Sequence, residues 1–219
     1  MNALNDGIKK GRKFDQVLQG AREVFLKDGF EGASVDDIAR VANVSKATLY
    51  NYFPDKRLLF IEVIKAECAQ QADSAIALIN EETPFSEMLR LAADHLLRFL
   101  VSDFGMATFR ICVAESDRFP ELGHIFYDSG PRRVQSELEK YMTMAVDCGA
   151  LAIDDIPLAA AQFAELCKAD IFPKVMFGVQ REFSEAEINR ITDGAVRTFL
   201  CRHGVDDNAC LTKNKPAPE

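Results

Sequence analysis

The sequence predicts an all-α protein: an N-terminal three-helix unit built around a helix-turn-helix, followed by a larger helical bundle. Three observations carry this. Apolar residues recur at helical spacing along most of the 219 residues. Strand-like alternation is nowhere sustained, and no internal repeat is visible. Residues 33–57 spell two short helices, a tight turn and the start of a third helix.

The elements follow in order. Residues 14–28 place Phe14, Val17, Leu18, Ala21, Val24 and Phe25 on one stripe, stopped by Gly29. Ser34 with Asp37 three residues on forms a capping box for a helix with Val35, Ile38, Ala39 and Ala42 as its apolar positions. Asn43 follows where the chain must turn, and Asn tolerates a left-handed backbone. Ser45 caps a second helix, 46–53, with Leu49 and Phe53 on one face, and Pro54 ends it. Asp55 then caps a third helix that starts at Lys56, carries Leu59, Phe60, Val63 and Ile64, and runs to about residue 77. Further helices are expected over 85–101, 105–117, 121–127, 131–148, 157–177 and 184–202. Pro173 should kink or split the fifth of these. The expected division is a flexible basic arm (1–13, with Lys9, Lys10, Arg12 and Lys13), a helix-turn-helix domain (14–57), a linking helix (56–77), a body (58–205) and a disordered tail (206–219).

The second short helix presents Lys46, Thr48, Tyr50, Asn51 and Tyr52. Solvation alone would favour Glu, Lys and Gln there, whereas this set suits DNA phosphates and base edges. The net charge of −8 is unevenly spread: +2 over residues 1–65 and −10 beyond them. A mildly basic head on an acidic body fits local phosphate contact without general affinity for nucleic acid.

The run from Ser45 to Lys56, Ser-Lys-Ala-Thr-Leu-Tyr-Asn-Tyr-Phe-Pro-Asp-Lys, resembles the signature of TetR/AcrR-type transcriptional regulators, as does Phe25 to Ser34 upstream. Asn43 and Ala47 depart from it, standing where that family usually has Gly. The resemblance implies that Lys46, Ala47 and Thr48 meet the major groove of double-stranded DNA. It implies also that Tyr50, Asn51 and Tyr52 touch phosphates or bases, and that Lys56, and Ser34 at its own helix start, hold phosphates. Val113 to Leu122, continuing to Pro131, is similar to the ligand-side domain of AefR-like repressors. That similarity implies a helical effector domain, repression as the usual mode, and a homodimer formed through helices 157–177 and 184–202. Their stripes fit: Leu158, Ala161, Leu166 and Met176 on one, Ile188, Ile191, Ala195 and Phe199 on the other. A dimer also answers a physical need, because one short recognition helix reads too few base pairs unless two-fold pairing on a palindromic operator doubles the contact.

The body shows no catalytic signature. Asp103-Phe104-Gly105 matches a kinase tripeptide without its companions. Ten of the sixteen Phe lie between 85 and 183, and such side chains can fill a core or line a small-molecule cavity. The candidate effector contacts are Phe99, Phe109, Arg110, Val113, Phe126, Phe163, Cys167 and Asp170; Arg110 and Asp170 must pair, with each other or with a ligand, if they are buried. His95, His124 and His203 lack partners at ligand spacing and read as surface or satisfied helix residues. Cysteines at 68, 112, 148, 167, 201 and 210 form no CxxC pair, so no metal site or cofactor is expected, and free thiols are. No apolar run is long enough to span a membrane and no signal-peptide core is present, so a cytoplasmic protein is expected. Two rival readings are a helical small-molecule-binding protein or enzyme whose N-terminal helices are only structural, and a helical adaptor.

Overall fold

The computed structural model describes residues 11–76 and 83–205. Most of the basic arm, including Lys9 and Lys10, residue 77 and the C-terminal tail lie outside the described residues. Within them the chain forms eleven helices: α1 (Arg12–Gly32), α2 (Val35–Val41), α3 (Lys46–Tyr52), α4 (Lys56–Ile76), α5 (Phe85–Val101), α6 (Asp103–Glu115), α7 (Pro120–Ser129), α8 (Pro131–Cys148), α9 (Ile156–Leu166), α10 (Ile171–Met176) and α11 (Glu185–His203). The all-α class is as expected.

By contact, the chain groups into two compact units. One, here the head, comprises the chain up to Cys68 together with Ala107–Phe126; the other, the body, comprises Ala69–Met106 and the chain from Tyr127 onward. Residues 107–126, expected in the body, thus pack with the head.

In the head, α1 buries Phe14, Val17, Ala21, Val24 and Phe25, and its helical dihedrals break at Gly29 (φ 70°), where the sequence placed its stop. Gly20 lets α1 approach α2 closely: an added Cβ would lie 2.7 Å from the Ala42 nitrogen. Ser34 and Ser45 cap α2 and α3 by accepting from the amides of Asp37 and Thr48. Asn43 takes the left-handed turn between them (φ 53°), and the Val44 amide donates to the Ala39 carbonyl at 3.0 Å. Phe25, Phe30 and Phe60 form an aromatic cluster with centroids 4.9 to 6.0 Å apart. The buried carboxylate of Glu67 is neutralised by Arg22 at 2.8 Å.

In the body, Phe85, Leu89 and Ala93 of α5, Leu138, Met142 and Ala145 of α8, Ala159, Ala160 and Phe163 of α9, and Ala195, Val196 and Phe199 of α11 share one core. A second cluster joins Leu97, Met106, Ile171, Val175, Ile188 and Ile191. Arg98 ties α5 to α11 through Glu185, at 2.9 and 2.5 Å, while also holding Asp94 at 2.8 Å. A capping box on Ser184 and Glu187 starts α11.

The single helix expected over 157–177 is two, α9 and α10, separated at residues 167–170 with Asp170 in a left-handed conformation (φ 67°). Pro173 explains the position of the break. It has no N–H for the carbonyl four residues back and its ring crowds that carbonyl, whereas in a first turn neither matters. The helix therefore ends early and restarts with Pro173 in the opening turn of α10.

Candidate nucleic-acid interface

The site is built on α3. Leu49, 1% exposed, anchors this helix in the head core. Lys46, Ala47, Tyr50 and Asn51 then fall on the opposite face and are exposed, a consequence of helical spacing alone. Tyr50 is 48% exposed, so its ring and hydroxyl are open to solvent beside Lys46, Ala47 and Asn51. Lys46 forms an ion pair with Asp36 of α2; both side chains are more than half exposed, so the pair is weak and easily exchanged for another anion.

Thr48 and Tyr52 are half-buried. The Thr48 hydroxyl lies 2.8 Å from the Ser45 hydroxyl inside the cap. The Tyr52 ring packs edge-on against Phe14 at 5.7 Å, across the α1–α3 seam. Ser34 accepts from the Asp37 amide at 3.0 Å and donates to the Asp37 carboxylate at 2.6 Å. Hydrogen bonds from Arg40 and then Ser34 hold that carboxyl below its ordinary range.

Lys56 opens α4, as expected, and its ammonium is engaged within the head. Its ammonium donates to the carbonyls of Phe30 (2.7 Å), Ala33 (3.1 Å) and Glu31 (3.4 Å), and it sits 4.7 Å from the Phe30 ring. An ammonium has three hydrogens, so a phosphate contact would have to break one of these bonds. Next to it, Asp55 caps α4 by accepting from the Arg57 amide at 2.8 Å, and its other oxygen accepts from the Arg57 guanidinium at 2.9 and 2.5 Å. Arg57 keeps the Asp55 carboxyl below its usual range.

The eight residues proposed for an effector do not form one arrangement. Phe163 and Cys167 are buried in the body core, Phe163 edge-on to Phe199 at 5.2 Å. Burial pushes the Cys167 thiol up to about 12. Asp170 is exposed and paired with Lys174 (2.9 Å) and Arg190 (2.5 Å), which lower its pKa, Lys174 most. Arg110 and Val113 are exposed as well. Phe109 and Phe126 meet edge-on at 6.0 Å within the head unit, and Phe99 is half-buried on α5. His95, expected as a surface or satisfied helix residue, instead has a buried Nε2 on α5 with no hydrogen-bond partner among the described residues. Sequence reasoning missed Glu137 on α8, whose Oε2 is also buried without a hydrogen bond, 4.0 Å from Lys140 Nζ. The signal was present, since Met88, Ala92 and His95 share a helical stripe, as do Val134, Glu137 and Tyr141. Among the described residues, no cluster of His, Cys, Asp and Glu has the makings of a metal site, and no helix is long and apolar enough to cross a membrane.

Comparison with known proteins gives matches over both parts of the chain. Residues 17–63 match the model of bacterial regulatory proteins of the tetR family, and residues 87–205 match the C-terminal domain of AefR-like transcriptional repressors. A structure of a protein assigned to the TetR family from Mesorhizobium loti is 29% identical, superposes with a TM-score of 0.83, and covers 90% of this chain and all of that one. The flavonoid-responsive regulator FrrA is 34% identical, with a TM-score of 0.68 over 89% of this chain and 98% of its own. The HTH-type regulator YhgD of Bacillus subtilis is 33% identical over 86 residues, 38% of this chain and 44% of YhgD. The chain spans about half the length of the curated relatives it matches.

Proposed function

This chain belongs to the TetR family of bacterial regulatory proteins, and we propose that it is a homodimeric cytoplasmic repressor released from a palindromic operator by an aromatic effector. One observation carries the DNA-binding part. A seven-residue helix, capped by Ser45 and anchored by Leu49, exposes Lys46, Ala47, Tyr50 and Asn51 together, with Thr48 and Tyr52 at the edges of that face. In the major groove, Lys46 would reach a guanine edge or a phosphate, Ala47 would allow close approach to a base, and Tyr50 and Asn51 would contact backbone or bases. Ser34 and Lys56 are already engaged within the head, so their contribution is to hold α2 and α4 in place.

In the body, the buried His95 Nε2, which has no hydrogen-bond partner among the described residues, and Glu137 Oε2, which has only Lys140 at 4.0 Å, favour an effector that carries hydroxyl groups, since an unmet buried donor or acceptor gains most from such a partner. That chemistry is compatible with the flavonoid response named for FrrA. The exposed faces of α9 and α11, among them Leu158, Gly194 and Thr198, are the surfaces on which a second copy would pack.

The test is selection of bound duplexes from a random DNA pool, followed by titration of flavonoids against the recovered complex. A recovered palindrome, weakened uniformly by Tyr50→Ala and released by a flavonoid, is the expected result. Recovery of no enriched duplex sinks the DNA-binding reading; an enriched duplex that no flavonoid releases sinks only the effector class.

A further inference from the structure

The turn between α6 and α7 contains Arg118 and Phe119, and it packs within the head against the start of α4. Phe119 receives two cations. The Arg57 guanidinium lies 4.5 Å from its ring centroid and that of Arg118 lies 4.9 Å away. Phe119, Arg57, Phe30, Phe60, Ile61 and Leu122 line one small cavity. The turn is itself well fixed: the amides of Arg118 and Phe119 both donate to the Glu115 carbonyl, at 3.1 and 2.7 Å, and the Leu122 amide donates to the Phe119 carbonyl at 2.9 Å. Arg118 also reaches Glu31 at 3.9 Å, a rim contact of little energy.

Lys56 and Arg57 therefore divide two tasks at the first turn of α4. Lys56 ties it to the α1–α2 junction. Arg57 ties it to the α6–α7 turn and, by its bonds to Asp55, holds the short link that follows Pro54 after α3. We propose that Phe119 and Arg57 are positioning residues for the recognition helix: the seated ring fixes the start of α4, and so the orientation of α3, in its DNA-binding arrangement. The proposal rests on the DNA-binding reading of α3. It makes the α6–α7 turn, some sixty residues beyond α3 in sequence, a control point for operator affinity. An unseated ring leaves the head sampling other arrangements, and apparent affinity falls by the fraction of time spent in them.

The experiment uses full-length protein and the operator recovered from the random pool. Phe119→Leu keeps apolar volume and removes the π-face; Arg57→Gln keeps a polar side chain and removes the cation. Each is expected to weaken binding about 2- to 5-fold, the factor that a cation–π contact with a partly exposed cation carries. The double variant should lose less than the two single losses added together, because the Arg57–Phe119 contact is already gone in each, while the Arg57–Asp55 pair and the Arg118–Phe119 contact are each lost in only one of them. The slope of affinity against salt should stay at the wild-type value, since neither side chain is assigned to a phosphate. Amide exchange over residues 46–57 should rise in both variants, a readout that needs no DNA. Wild-type affinity and exchange in folded Phe119→Leu overturn the proposal, and so does a salt slope reduced by about one in Arg57→Gln, which would make Arg57 a phosphate ligand. If wild-type protein enriches no duplex, the DNA-binding reading fails, and the exchange measurement still decides whether Phe119 fixes α4.

Discussion

Gly20→Ala sets two ordinary effects against each other at one position. In the middle of an exposed helix, replacing Gly by Ala stabilises by about 1 kcal/mol, because Gly loses more backbone freedom on folding. Gly20 is not exposed. An ideal Cβ there would stand 2.7 Å from the Ala42 nitrogen and 2.8 Å from the Ala42 Cα and Cβ, where carbon contacts settle near 3.5 Å or more. The obstruction is mostly backbone, at the end of α2, so no rotamer relieves it and α2 must move by roughly 0.8 Å. Overpacking of this kind costs about 1–3 kcal/mol, and with backbone in the way the upper half applies. The net result is a loss of about 1–2 kcal/mol, or about 2–8 °C in Tm for a chain of this size. Thermal melting followed by circular dichroism measures it, and operator affinity should fall as well, because α2 sets the angle of α3. A variant as stable as wild type would refute the close-approach argument. Gly194→Ala on α11 has the opposite sign: nothing lies within 4 Å, so a gain of about 0.5–1 kcal/mol is expected. If a second copy crosses α11 closely there, the same change loosens the dimer instead, which sedimentation at two concentrations distinguishes.

Three further outcomes follow from single groups. Lys56→Met should lower stability by about 1–2 kcal/mol, since the half-buried ammonium serves the Phe30 and Ala33 carbonyls, yet leave the salt dependence of DNA binding as it was; a slope lowered by one unit would place the ammonium on a phosphate. Burial pushes the Cys112 and Cys167 thiols up to about 12, whereas Cys201 is exposed. Alkylation at pH 8 with peptide mapping should mark Cys201 in native protein and the other two only after denaturation, and rapid native labelling of Cys112 would contradict its burial. Hydrogen bonds from Gln180 and then from the Ser184 amide and hydroxyl hold the Glu187 carboxyl at about 2, against an ordinary 4.5. Its contribution to stability is therefore complete above pH 4.5 and disappears as pH falls through about 2. Glu187→Gln should flatten Tm against pH across that window, and an unaltered slope would remove this residue from the acid transition.

Much of the fold was legible because its signals are local. Gly29, Ser34, Asn43, Ser45 and Pro54 mark ends and turns through their own backbone and capping chemistry, which needs no tertiary context. The exposed face of α3 was legible for the same reason, since spacing alone puts Leu49 inward and Lys46 and Tyr50 outward. Long-range competition was not legible. Lys56 at a helix start reads as a phosphate ligand, but carbonyls twenty-three to twenty-six residues earlier claim its hydrogens. Phe163 and Cys167 read equally as pocket or core, and only the helices around them decide for core. Pro173 signals the split of the 157–177 helix, and the break falls in the residues just before it because a proline acts on the turn that precedes it. Phe119 passed unnoticed as one of many aromatics, its two arginines being distributed between neighbouring and distant sequence.

The grouping of Ala107–Phe126 with the first 68 residues bears on how such proteins can be recombined. The DNA-reading part is not a detachable N-terminal module. A fragment cut after Cys68 would leave Phe30, Phe60 and Ile61 without the Phe119 and Leu122 that share their cavity, and would be less stable and prone to associate through that uncovered face. A chimaera that exchanges heads between relatives at the same point would join a foreign α4 to this chain's α6–α7 turn. Grafts that carry both stretches, or that match residues 57 and 119 across the junction, should keep the specificity of the donor. Substitutions on the exposed face of α3, by contrast, leave that shared seat intact.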